Sequence, residues 1–211
     1  MDNLFFDLNR LKYLGVGAIV GKAVRIRSPE RVVIGDYSII DDFTYISCAM
    51  ELGRYCHVAP SVTISGGAGL FRTGDFIGIA AGCTVHVASS DYLGASFELP
   101  SIPEEYRFGG ACEDVAFADH VLLGSHSVVL PGVQLPEGFA SAAQTVIRKK
   151  EYEPWCLYGG IDGRKIYSRP SQAVKAQAAR LLESGRALAR EENQPDGRRK
   201  TDERSPDRPS S

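Results

Sequence analysis

Four histidines, His57, His86, His120 and His126, are the side chains of this sequence whose ordinary titration lies nearest neutral pH. A positioned imidazole suits the removal of a proton from a hydroxyl or an amine. The five cysteines (Cys48, Cys56, Cys83, Cys112 and Cys156) are odd in number and contain no C-x-x-C pair. That argues against a disulfide framework or a zinc ribbon and for free thiols. Lys and Arg total 24 against 26 Asp and Glu, whereas a general binder of nucleic acid or anionic membrane is expected to be basic. No apolar run approaches the ~18 residues of a membrane span. The acidic start Met1-Asp2-Asn3 lacks the basic region of a signal peptide. The expectation is a soluble, cytoplasmic chain of one domain, or one domain with a tail.

The elements that position these histidines are set by a repeat. Stepping by six from Ile34 gives Ile40, Ile46, Leu52, Val58 and Ile64; the phase resumes at Thr73, Ile79 and Val85, and again at Phe117, Leu123, Val129, Leu135, Ser141 and Ile147. Of these 15 positions 13 are apolar. A second series four residues further on (Ser38, Thr44, Met50, Cys56, Val62, Ala68, Ile77, Cys83, Ser89, Val121, Ser127, Val133, Phe139, Thr145) is mostly small or short-branched. An amphipathic helix recurs at three and four residues and a lone strand at two, so neither explains a strict six. A short strand plus a tight corner does, and the 22 glycines and 11 prolines fit a chain that turns often. Three hexads, about 18 residues, close a triangular coil, and stacked coils make a parallel β-helix.

The stretch Val121-Leu122-Leu123-Gly124-Ser125-His126-Ser127-Val128-Val129-Leu130-Pro131-Gly132-Val133, together with Ile34-Gly35-Asp36 and the closing Glu153-Pro154-Trp155-Cys156-Leu157-Tyr158-Gly159-Gly160, resembles the hexapeptide-repeat acyltransferases. The segments Ile40-Asp41-Asp42-Phe43, Tyr55-Cys56-His57-Val58-Ala59, Ser90-Asp91-Tyr92 and Pro103-Glu104-Glu105-Tyr106 are similar to the galactoside O-acetyltransferase-like branch. The resemblance covers roughly residues 10–168. It implies an all-β left-handed parallel β-helix, a homotrimer and acetyl-CoA as acyl donor.

Acyl transfer from a thioester needs a base, donors for the oxyanion and a slot that aligns two substrates. His57 immediately precedes the inward Val58, so it points out from a flat face, and it matches the branch's motif; it is the expected base, with His86 as second choice. His120 and His126 stand three residues after a repeat start and read as surface residues. In the better-known galactoside and maltose acetyltransferases the catalytic histidine opens the long loop, a column that Asp91 occupies here. Asp91, from its own or an adjacent subunit, is therefore expected to orient His57. For the donor, the resemblance assigns Ser125, Ala143, Arg148 and Lys149 to the pantetheine arm and adenine, and Arg164 to a phosphate. Arg148, Lys149 and Lys150 read otherwise as a solvated basic run.

Residues 1–14 carry Leu4, Leu8 and Leu11 on one helical stripe. The organisation expected is an N-terminal capping helix and lead-in over 1–22, the β-helix over 23–168 with a protruding loop 91–114, a C-terminal helix over 169–190, and a tail, 191–211, with too little apolar surface to order itself. The function expected is O-acetylation of a carbohydrate hydroxyl in surface-polysaccharide or lipopolysaccharide assembly. Its alternative is N-acetylation of a nucleotide-linked amino sugar. Two further readings are a zinc protein like the carbonic-anhydrase branch of the same solenoid and a non-catalytic trimeric scaffold. The histidine gaps of 29, 34 and 6 lack the five-residue pairing of that zinc branch, and no metal is expected.

Overall fold

A computed structural model describes residues 3–97, 99 and 101–184. The chain winds as a left-handed parallel β-helix whose three flat faces are parallel sheets. The first face stacks Tyr13–Leu14, Val32–Ile34, Ala49–Leu52, Leu70–Thr73, Val115–Phe117 and Gln134–Leu135. The second stacks Ile19–Val20, Ile39–Ile40, His57–Val58, Gly78–Ile79, Leu122–Leu123, Ala140–Ser141 and Cys156–Gly159. The third stacks Arg25–Ile26, Tyr45–Ile46, Thr63–Ser65, Thr84–His86, Val128–Val129 and Val146–Ile147.

All 15 positions of the six-residue series are buried. The two polar members are satisfied inside: Thr73 Oγ1 accepts from Gly53 N–H at 3.0 Å, and Ser141 Oγ lies 3.1 Å from Ser127 Oγ. In the second series Ala68 and Ser89 fall outside the core. Ala68 lies in a turn with Gly66 and Gly67, and Phe71 fills the core in its place. All five cysteines are free. Burial pushes the Cys48 and Cys56 thiols up to about 11, which makes both poor nucleophiles.

The N-terminus differs from expectation. In place of the expected helix, residues 3–14 hold one 3-10 turn, Leu8–Arg10, and the first coil starts at Tyr13 rather than at 23. The hexad phase runs upstream through Leu14, Val20 and Ile26, but the turn at Pro29–Arg31 stretches the next step, to Ile34, from six residues to eight. The segment still plugs the open coil. Phe6 and Leu11 are buried, and Asn3 Nδ2 donates to the Gly21 and Val24 carbonyls at 3.0 and 2.8 Å. Leu4, expected on the apolar stripe, is exposed.

The long loop leaves the stack without interrupting it. Gly78 pairs with Leu122 and Thr84 with Val128, as though the insertion were absent. A short antiparallel pair, Ala88–Ser89 with Ala111–Cys112, forms its neck. Beyond the neck Tyr92, Leu93, Phe97, Leu99 and Phe108 are exposed. After Cys156–Gly159 the chain folds back as an antiparallel strand, Arg164–Ser168. It then enters a single helix, α1, over Gln172–Ser184. The tail 191–211 and the end of the expected helix 169–190 lie outside the described residues.

Candidate active site

On the second face the residue before each inward position points outward. That column reads Ile19, Ile39, His57, Gly78, Leu122, Ala140, Leu157. The residue after each inward position forms a second outward column: Gly21, Asp41, Ala59, Ala80, Gly124, Ala142. His57 is the one ionisable group in the first column and Asp41 the one in the second, and they meet. His57 Nε2 donates to Asp41 Oδ2 at 2.7 Å. The two side chains are 55% and 38% exposed, so the pair contributes only about 0–1 kcal/mol to stability. It orients the imidazole. With Nε2–H held by a carboxylate, Nδ1 keeps the free lone pair that a base requires.

Gly78 stands next to His57 on the neighbouring rung, and Ala59, Ala80 and Ala81 stand at the corner beyond. Because these residues have little or no side chain, a recess of about 320 Å³ opens beside the imidazole, walled by Leu122. The partner expected for His57 was Asp91. Within the chain no hydrogen bond or ion pair joins them, and Asp41 takes that place. Asp91 accepts from Leu93 N–H at 2.8 Å and Ala95 N–H at 2.6 Å. Those donors hold its carboxyl below the usual range and shape the first turn of the loop. The sequence signal for Asp41 was a charged residue in a column otherwise of glycine and alanine.

His86 lies on the third face, 3.1 Å from Ser65 Oγ through Nδ1. Burial pushes its imidazole below the ordinary value. The folded chain therefore resists a proton that the unfolded chain accepts near pH ~6.5. Stability is full above that pH and declines as the pH falls through it towards the lower folded value. Denaturant midpoints measured between pH 7.5 and 5 are expected to fall in this way, and less steeply in His86→Gln.

His126 is exposed, as expected, but His120 is not a plain surface residue. It sits half-buried in an aromatic ladder along the corner between the first and second faces. Ring centroids run Tyr37–Tyr55 at 5.1 Å, Tyr55–Phe76 at 5.4 Å, Phe76–His120 at 5.0 Å and His120–Trp155 at 5.5 Å. Each of these residues has a positive φ, a conformation uncommon outside glycine, and the stacked rings offset its cost.

Four of the expected donor residues flank the C-terminal rungs of the third face, and Arg164 opens the antiparallel strand that extends the second. Ser125 and Ala143 occupy the same corner one coil apart, with Gln144 N–H donating to the Ser125 carbonyl at 2.8 Å. Arg148 and Lys149 follow the strand Val146–Ile147 at the opposite corner. No hydrogen bond or ion pair engages the Arg148 guanidinium among the described residues. Lys149 pairs with Glu113 at the foot of the loop, and Arg164 with Asp162 at 3.3 Å. Lys150 is structural, its ammonium donating to the Asp162 and Gly163 carbonyls at 2.9 Å. Among the described residues no group of three or more His, Cys, Asp or Glu side chains is placed to hold a metal ion. No helix among them is long and apolar enough to cross a membrane.

The geometry can be set beside known proteins. No protein-family model matches the chain. A hexapeptide-repeat acetyltransferase from Vibrio cholerae, solved with acetyl coenzyme A, shares the fold at 20% identity and a TM-score of 0.52, covering 77% of this chain and 74% of that one. AntD, an N-acyltransferase from Bacillus cereus solved with dTDP and 3-hydroxybutyryl-CoA, is 28% identical with a TM-score of 0.77, over 87% of this chain and 100% of its own. The dTDP-4-amino-4,6-dideoxy-D-glucose acyltransferase of Escherichia coli is 28% identical over 185 residues, 82% of this chain and 93% of that protein. Over most of its length the chain is similar to acyltransferases, and it shares the hexapeptide-repeat fold. In this acyltransferase, then, the recess beside His57 and the basic end of the third face lie on different faces of one prism. A further AntD structure, of a serine-to-alanine variant, holds dTDP-4-amino-4,6-dideoxyglucose and coenzyme A together.

Proposed function

We propose that this acyl-CoA-dependent acyltransferase acylates the amine of a nucleotide-linked amino sugar. The observation that carries the reading is the near full-length likeness, at 28% identity, to two acyltransferases, one named for an amino-sugar nucleotide and the other solved with one. It reverses the order expected from sequence, where a carbohydrate hydroxyl came first. His57 is the base and Asp41 its orienting partner. The sugar nitrogen attacks the thioester carbonyl, a C–N bond forms, and the proton of the amine passes to His57 Nδ1. The Asp41 carboxylate stabilises the imidazolium. Collapse of the tetrahedral intermediate breaks the C–S bond, and the imidazolium returns its proton to the departing thiolate. The products are an amide and free coenzyme A.

Ser125, Ala143, Arg148, Lys149 and Arg164 hold the donor, the unpaired Arg148 guanidinium meeting a phosphate. The exposed apolar side chains of the loop 91–114 pack against neighbouring subunits of a homotrimer, where Asp91 reaches an adjacent site. The setting is cytoplasmic, in the supply of sugars for surface polysaccharide or lipopolysaccharide.

The purified chain, given acetyl-CoA or 3-hydroxybutyryl-CoA, is expected to release free thiol with dTDP-4-amino-4,6-dideoxyglucose and to yield an amide by mass. Sugars and sugar nucleotides that carry hydroxyls alone should release none. Acetylation of those hydroxyl-only acceptors, with the amino sugar ignored, would return the carbohydrate O-acetyltransferase reading to first place.

A further inference from the structure

Leu122 borders two cavities. One is the recess beside His57; the other, of about 300 Å³, lies between the aromatic corner and α1 and is lined by Phe76, His120, Leu122, Arg169, Gln177 and Leu181, among others. The outward column between Leu122 and His57 holds only Gly78, which presents no side chain. The Leu122 side chain reaches over that glycine, its Cδ2 2.8 Å from where a Cβ would stand, so Leu122 is the wall that the two hollows share. Adjacent strands lie ~4.8 Å apart, so the two rungs from His57 to Leu122 span about 10 Å.

The chemistry differs at the two ends. Beside His57 the walls are small and apolar apart from the imidazole. Under α1 they combine the edges of two stacked rings and aliphatic side chains with a guanidinium and an amide. The guanidinium is held in place: Arg169 Nη1 donates to the Gly138 carbonyl at 2.7 Å, and its centre lies 5.8 Å from the Trp155 ring. Its remaining N–H groups are available to an anion. The neighbouring Lys175 is neutralised by Glu137 at 2.9 Å, which leaves Arg169 as the positive group lining this cavity. A flat polar ring, a diphosphate and a sugar in sequence match apolar walls with an amide, a fixed guanidinium and a small recess beside a base.

We propose that the nucleoside diphosphate of the acceptor lies under α1, with its base between the ring edges and Leu181 near Gln177, its phosphates at Arg169, and its sugar passing along Leu122, the wall common to both hollows, to His57. This rests on the amino-sugar nucleotide reading above and deepens it. The helix then acts as the clamp that recognises the nucleotide. That accounts for a helix with no fully buried residue being anchored to the solenoid through Arg169, Lys175 and Trp155.

The test is calorimetric binding of dTDP to the full chain. Ala178→Trp fills the cavity from the helix side, and Arg169→Gln removes the charge. Each is expected to weaken dTDP binding about tenfold or more and to raise the acceptor KM, while the acetyl-CoA Kd and the Tm of Ala178→Trp stay at wild-type values. A wild-type chain that acylates an amino-sugar nucleotide, with dTDP affinity unmoved in both variants, overturns this placement and leaves the proposed function standing. A chain that binds no dTDP and acylates no nucleotide-linked sugar overturns that function, and this placement with it.

Discussion

His57→Ala is expected to lower kcat by about 10²–10⁴-fold, the usual contribution of a positioned base, with the Tm within a degree or two of wild type. The stability side follows from exposure: a half-exposed ion pair contributes about 0–1 kcal/mol, and His57 fills no part of the core. Asp41→Asn should lower kcat by a smaller factor, because the imidazole keeps a hydrogen-bonding neighbour but loses the charge that stabilises its protonated form. Asp91→Asn distinguishes the two carboxylates. If Asp91 acts only on its own loop, the variant changes the acceptor KM through loop geometry and leaves the pH profile of kcat intact. If an adjacent subunit brings it to His57, the acid limb of that profile moves. Steady-state rates of thiol release across pH separate these outcomes, and a wild-type rate in His57→Ala removes the base assignment altogether.

The solenoid was legible because its physics is local and periodic. From Ile34 to Ile147 each inward residue of the series is buried, so that run could be read straight from spacing. The first coil was missed because the turn at Pro29–Arg31 changes one step in a series that depends on unbroken counting. Site residues follow a different logic. The outward position of His57 is fixed by Val58, but its partner is set by which residues stand diagonally across neighbouring rungs, and sequence separation does not reveal that. Asp41 is 16 residues away along the chain and 2.7 Å away in space. Asp91 looked like the partner by column, yet at the loop's first turn the carboxylate is taken up by backbone N–H groups. His120 looked solvent-facing for the same reason that it stacks: the corner position that turns it outward also aligns it with every other corner ring.

The C-terminal end of the prism carries the largest expected stability effect. Phe139 is fully buried, stacked on Tyr158 at 5.1 Å and met edge-on by Tyr152 at 5.0 Å. Tyr152 and Tyr158 are themselves in edge contact at 5.0 Å, so three rings close the last coil. Phe139→Ala removes the central ring and is expected to cost ~3–5 kcal/mol, about 6–20 °C in Tm for a chain of this size. The loss should be uneven. In a stacked solenoid each coil contacts only its neighbours, so amide exchange is expected to accelerate over residues 134–168 and to remain slow over 32–65. Function should divide along the same line. The Tyr152 hydroxyl donates to the Arg148 carbonyl at 2.9 Å and accepts from the Arg148 N–H at 3.1 Å, so loosening the three rings loosens the proposed donor site. The Kd for acetyl-CoA should rise while the His57 to Asp41 geometry, several coils away, persists. Uniform acceleration of exchange along the whole chain would mean that the prism unfolds as one unit and that its two ends are not energetically separable.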